Sequence, residues 1–309
     1  MNRIEFYRCR DFSGKMNATF DFIRENARPL FKYIFFFIFP VCLLQTFMMN
    51  SIYGSAIISI FTLGNTDYFG DSAASFFSNF GLLYLCYLVG TCILSGLIYA
   101  MMHTYATREN RLKDVVLEDF KRPLYQNIMR CIGMSLFMIF FVIVLSVFAG
   151  LLAATASVVS IWLSLILILG VIALIIPLTL VIPIYLFERQ ISFFGALIKA
   201  WQLGSATFWS MVGFIIVISL ISSVIQTVMA VPWYVANIIK VVLTVPSGGV
   251  ETNSVILKFA VFLSGIVQAL GMYLSLSLTV IALAFQYFHA REKIEGVTIE
   301  ENITKFDSL

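Results

Sequence analysis

The two histidines of this chain both fall where an apolar stretch meets charged residues, His103 just before Tyr105-Ala-Thr-Arg108 and His289 just before Arg291. Imidazoles brought together from two helices would bind a transition metal or relay a proton. Neither has an acidic partner at ligand spacing, so capping or solvation is expected of them. Residues 64–71 (Gly-Asn-Thr-Asp-Tyr-Phe-Gly-Asp) offer calcium the oxygens of Asn65, Asp67 and Asp71. No glutamate follows at the distance a calcium loop requires, which points to a turn. No nucleophile is spaced against a base anywhere in the chain. The expectation is a non-enzyme with no catalytic residue, no cofactor and no metal.

The remaining polar groups of interest lie within apolar stretches. Gln45, Gln226 and Gln268 would each lie in the outer half of a bilayer, and together they would line an outward-facing polar cavity. The other reading is that each amide hydrogen-bonds a neighbouring helix, worth about 0.6–2 kcal/mol. Pro40, Pro177 and Pro183 remove backbone donors inside apolar segments and are expected to kink them. The five cysteines do not form an evident framework. Cys86 and Cys92 are six residues apart, about 9 Å of helical rise, too far for a disulfide.

These groups are carried by a chain of 309 residues that is 60% hydrophobic, with a mean hydropathy of +0.94. No soluble domain hides so much apolar surface, and a spanning helix needs about 20 apolar residues. The stretch 131–187 contains no charged residue, room for a tight hairpin of two spans. Spans are expected near 30–52, 79–103, 131–155, 158–186, 210–236 and 257–288. With that assignment eighteen of the twenty Lys and Arg lie on one side of the membrane, and only Lys240 and Lys258 on the other. The positive-inside bias then makes both termini cytoplasmic. Residues 1–29 have no apolar core and read as a cytoplasmic arm rather than a signal peptide, and 292–309 as a cytoplasmic tail.

An internal repeat emerges from the basic segments. Arg28-Pro29-Leu30-Phe31 echoes Arg122-Pro123-Leu124-Tyr125, each leading into an odd-numbered span, with a weaker third copy over 204–212. Three units follow, at about 17–107, 109–187 and 189–291, each an amphipathic cytoplasmic elbow helix and an in–out–in hairpin. The elbow stripes are Phe20, Ile23, Ala27 and Leu30; Leu112, Val115, Val116, Phe120 and Leu124; and Ile191, Phe194, Leu197, Ile198 and Trp201. Packing beneath the bundle is expected of them, with a position in the lipid interface as the alternative. The fold class is therefore an all-α polytopic membrane protein with six transmembrane helices in a single domain. Arg24, Arg28, Lys121, Arg122 and Arg130 are the candidate contacts to anionic lipid.

The elbow-plus-hairpin units, the Phe208-Trp209 entry and the tail Tyr287-Phe-His-Ala-Arg291-Glu292-Lys293-Ile-Glu295-Gly296 resemble a broad group of bacterial six-helix membrane proteins. The group includes YciC-like proteins and the membrane domain found beside glycerophosphodiester phosphodiesterases, and the tail is most similar to integral membrane proteins of Bacteroidetes. The resemblance implies this architecture and a bacterial inner-membrane address. It carries over no catalytic residue. The expected function is an accessory or scaffold protein acting through membrane lipids or another membrane protein, with no nucleic-acid partner. The alternative is a transporter or channel for an uncharged or lipid-like solute.

Overall fold

The computed structural model describes residues 3–61, 68–154, 158–244 and 255–298, and every regular element among them is a helix. In chain order these are α1 (Phe12–Glu25), α2 (Ala27–Phe61), α3 (Tyr68–Thr107), α4 (Leu117–Ala154), α5 (Val158–Leu178), α6 (Val181–Phe187), α7 (Phe193–Ala206), α8 (Phe208–Thr244) and α9 (Val255–Glu295). The calcium-type segment 64–71 has no described side chains and lies outside this account.

Five of the helices carry a stretch long and apolar enough to cross a membrane: Ala27–Ile52, Ser78–Thr107, Leu117–Leu151, Phe208–Lys240 and Val255–Glu295. The most apolar of them, on α4, is also the least covered by protein, with 11% of its best window buried against 44% for the less apolar α3 stretch. Water would forbid that ordering, and hydrocarbon favours it. On α4 the run from Phe140 to Val144 is exposed at five successive positions, which point to every side of the helix. The protein is thus an all-α chain built as a multi-pass membrane protein.

The second apolar segment of the middle pair is not one helix. Pro177 lacks a backbone donor, and the chain tightens after it: Leu180 N–H donates to the Pro177 carbonyl (3.2 Å), and α6 resumes at Val181. Pro40 behaves differently, since α2 runs through it unbroken. The expected separate second elbow is likewise absent, because residues 117–130 are the first turns of α4 itself.

α1 and α7 are free-standing helices of the same length, 14 residues, with matching ends. Each opens on a side-chain N-cap three residues before a glycine, in Asp11-Phe-Ser-Gly14 and Ser192-Phe-Phe-Gly195: Asp11 accepts from Gly14 N–H, and Ser192 from Gly195 N–H. Each ends at one residue in the bridge region, Asn26 (φ −110°, ψ 18°) and Thr207 (φ −116°, ψ 19°). The Asn26 Nδ2 donates to Phe22 O (2.9 Å) and the Thr207 hydroxyl to Leu203 O (2.8 Å). The next helix starts at once, with Leu30 N–H on Asn26 O and Met211 N–H on Thr207 O. One residue therefore makes each corner.

The chain divides into two compact units. The first comprises Met1–Leu30, Ser95–Ser219 and Thr279–Leu309, and the second Phe31–Leu94 and Leu220–Leu278. Seventeen of the twenty Lys and Arg belong to the first unit; Lys32, Lys240 and Lys258 belong to the second. In the first unit the core is α3 from Leu97 to Tyr105 and α9 from Ile281 to Ala290. There α7 approaches the α5–α6 break so closely that a Cβ on Gly204 would sit 2.6 Å from Pro177 Cα.

Candidate functional site

The arm of the first unit is folded rather than loose. Phe6 stacks on Phe288 (4.9 Å between centroids) and Tyr105 (5.6 Å), beside the fully buried Phe22. The Arg3 guanidinium donates to the carbonyls of Tyr105 and Ala106 at the end of α3, where cationic side chains complement orphan carbonyls. The Tyr105 hydroxyl accepts from Ile4 N–H and donates to Glu25, which also pairs with Arg111.

Two exposed faces decide how the elbows are used. α1 buries Lys15, Ala18, Thr19 and Phe22 and leaves Phe12 and Phe20 exposed. α7 buries Ala196, Ala200, Leu203 and Gly204, while Phe194, Ile198 and Trp201 are exposed. Of the first expected stripe, Leu30 is buried, Ile23 half-buried, and Phe20 and Ala27 exposed. The expectation that the stripe packs beneath the bundle is corrected for α7, whose inward face is mostly small because the approach at Gly204 is close, so that Phe194, Ile198 and Trp201 turn outward. Only the middle stripe packs inward, at Leu112, Val115, Phe120 and Leu124, leaving Val116 exposed.

Lys15 is the group that sequence reading passed over. It is fully buried, and its ammonium donates to Gln286 Oε1 (2.7 Å) and Ser210 Oγ (2.8 Å) and lies 4.9 Å from the Phe214 ring centroid. No carboxylate pairs with it among the described residues. Burial and the charge of Lys293 lower its pKa from 10.5 to about 8, against a smaller opposing pull from Asp11. The Gln286 Nε2 beside it is buried without an acceptor. A helical stripe headed by a lysine (Lys15, Ala18, Thr19, Phe22) was the available signal, hidden in an arm full of charges.

Of the five basic candidates, Arg24, Arg28, Lys121 and Arg122 are exposed. Arg130 is turned inward, donating to the carbonyls of Tyr185 (2.7 Å), Glu188 and Arg189 and lying over the Tyr185 ring. Glu188 is the hub of the other network in this unit. It accepts from Tyr287 OH (2.8 Å) and pairs with Lys199 (2.9 Å) and Arg291 (3.6 Å), both of which also reach Glu295. Glu188→Gln should cost about 1–2 kcal/mol, because the two cations keep Glu295. Thermal unfolding in low and high salt checks this: the deficit should shrink as salt rises, and an unchanged deficit would mean the charge is not the cause.

The histidines do not form a pair. His289 Nδ1 accepts from the Arg10 backbone N–H (3.0 Å), no hydrogen bond joins it to His103, and no group of three or more His, Cys, Asp and Glu among the described residues is placed to hold a metal. None of the five cysteines is in a disulfide, and four of them are buried.

In the second unit the three amides separate. Gln226 is exposed on α8, away from any shared cluster. Gln45 and Gln268 each have a buried side-chain oxygen without a donor, and the Gln45 amide reaches no nearer partner than Met272 Sδ (4.0 Å). Sequence reading missed their company: Thr46 Oγ1, Asn50 Oδ1 and Tyr273 OH are also buried without partners, and Trp233 is buried beside them. Thr46 and Trp233 both lie against Gly265, which puts α2, α8 and α9 around one polar seam. Sequence gives the depth of these groups but not the rotation of each helix about its axis, which is why the seam was not legible. No protein-family model, curated protein or solved structure matches this chain.

Proposed function

We propose that the protein is a non-enzymatic accessory or scaffold protein of the bacterial inner membrane, with a cytoplasmic basic side that engages lipid. The supporting observation is the outward apolar face of α1 and α7, Phe12 and Phe20 on one and Phe194, Ile198 and Trp201 on the other. A helix that is held to the protein on one side and exposes bulky apolar groups on the other suits the acyl–headgroup boundary. Arg24, Arg28, Lys121 and Arg122 are exposed in the same unit and would meet anionic headgroups.

The matching lengths and caps of α1 and α7 favour the three-unit repeat. With α5 and α6 counted as the return limb of the middle unit, they favour six spans and cytoplasmic termini, as in the six-helix group that the sequence resembles.

The test is thermal unfolding of the whole chain in nanodiscs of phosphatidylcholine with and without phosphatidylglycerol. Anionic lipid should raise the stability of the wild type. The variant R24Q/R28Q/K121Q/R122Q should lose most of the gain, at about 1 kcal/mol per residue. A quadruple variant that responds to phosphatidylglycerol as the wild type does would sink the reading.

The unpartnered seam of the second unit favours the second reading, passage of an amphipathic solute. Leaflet exchange of a labelled lipid in proteoliposomes separates the two. Exchange that the wild type accelerates and Q45L/Q268L abolishes would replace the scaffold with a carrier.

A further inference from the structure

Lys240, near the end of α8, and Lys258, near the start of α9, line the same cleft of the second unit, with a volume of about 250 Å³. Its other walls are Phe47, Asn50 and Ser51 from α2 and Val261 and Phe262 from α9. Lys240 closes the membrane-crossing stretch Phe208–Lys240 of α8, and Lys258 lies in the first turn of the stretch Val255–Glu295 of α9, so both stand at ends where a headgroup layer would meet the helices.

The cleft has two chemistries. Its cationic lining is Lys240 and Lys258. The apolar lining is Phe47, Leu257, Val261 and Phe262, near exposed apolar side chains such as Phe259 and Leu263 on α9. Asn50 and Ser51 complete the cleft. Its volume is below the roughly 300–1,000 Å³ of pockets that enclose a whole small molecule. It suits a headgroup whose chains stay outside on the helix faces. Lysine is a point charge rather than a planar fork, and a tetrahedral phosphate between two lysines uses that well.

We propose that this cleft binds a phospholipid of net negative charge, the phosphate at Lys240 and Lys258 and the acyl chains along Phe47 and Phe262. The site is independent of the cytoplasmic lipid contacts, because it shares none of Arg24, Arg28, Lys121 and Arg122.

The probe is a diazirine-bearing phosphatidylglycerol in nanodiscs containing the full chain, with crosslinks mapped to peptides by mass spectrometry. Labelling of residues 47–51 and 257–262 is expected in the wild type. It should fall at least about tenfold in K240Q/K258Q, as two lysines at about 1 kcal/mol each require. K240R/K258R keeps the charge and should keep the label, which separates lost binding from lost folding. The R24Q/R28Q/K121Q/R122Q variant should be labelled here as the wild type is, even if the cytoplasmic reading fails. Equal labelling by a diazirine phosphatidylcholine, or undiminished labelling of K240Q/K258Q, overturns the proposal. Loss of the label on adding millimolar inorganic phosphate overturns it too, since the ligand would then be a free anion.

Discussion

The stability of the protein is expected to rise between about pH 8 and pH 10.5, and Lys15→Met is expected to abolish that part of the rise. The folded chain holds the Lys15 ammonium in a fully buried position with hydroxyl, amide and aromatic partners but no carboxylate, which lowers its pKa from 10.5 to about 8. Between those two values the unfolded chain carries a proton there that the folded chain has released. Stability therefore increases with pH across the window, is lost again as pH falls through the folded value, and is flat beyond either end. The lowering amounts to at most about 3 kcal/mol over the whole interval.

Groups that face this ammonium set the comparison: Asp11 and Arg10 on the arm, and His289 and Lys293 on α9. Methionine keeps the apolar stem against Phe214 and removes the charge, so subtracting its pH profile from that of the wild type isolates Lys15 from every other titration. Near pH 7 the two should differ little. The loss of two hydrogen bonds, at about 1 kcal/mol each, opposes relief from burying a cation. Lys15→Ala should instead cost about 2–4 kcal/mol, since it also leaves a cavity. Denaturation in neutral detergent from pH 7 to 10.5 measures all three proteins. Parallel profiles for wild type and Lys15→Met would show that the lysine does not titrate in this window.

Gly204→Ala is expected to loosen α7 from the α5–α6 break, while alanine at Gly150 or Gly213 is expected to stabilise. A Cβ on Gly204 would meet Pro177 Cα at 2.6 Å, Pro177 Cβ at 2.7 Å and the Pro177 carbonyl oxygen at 3.0 Å. Main-chain atoms cannot swing aside as the tip of a side chain can, so the helix must move. Overpacking of that kind costs about 1–3 kcal/mol, more than the roughly 1 kcal/mol of helix propensity that alanine recovers. Gly150 and Gly213 have nothing within 4 Å of the added carbon, so there only the propensity remains. Thermal unfolding of the three single variants should thus give one loss and two gains. A gain at Gly204 would mean that the close approach to Pro177 is not maintained in the membrane.

Several features follow from the order of residues alone. Helices that hold few charges over about twenty residues have to satisfy their backbone internally and lie in lipid, so the class and the multi-pass character were legible from hydropathy. Five of the expected spans correspond to the five long apolar helices, though α2, α3, α4, α8 and α9 each run well past the expected ends. Hydropathy marks where lipid begins, whereas a helix continues until a cap or proline stops it. The break in the sixth came from Pro177, which sequence reading flagged as a kink but could not place as the point where α7 lies against it.

What remained hidden depends on partners distant in sequence. The direction of an amphipathic stripe is set by which neighbour comes close, and in α7 the close neighbour favours Ala196, Ala200 and Gly204, so Phe194 and Trp201 face out. Gln226 and Gln268 look alike in sequence, yet one is exposed and the other joins a seam with Asn50, Thr46, Trp233 and Tyr273, because depth in the bilayer does not fix rotation about the helix axis. Charge order along the chain determined the basic segments and isolated Lys240 and Lys258. Only the tertiary structure put those two lysines into one cleft and buried Lys15, since charge acts through distance in space, and sequence separation does not measure it.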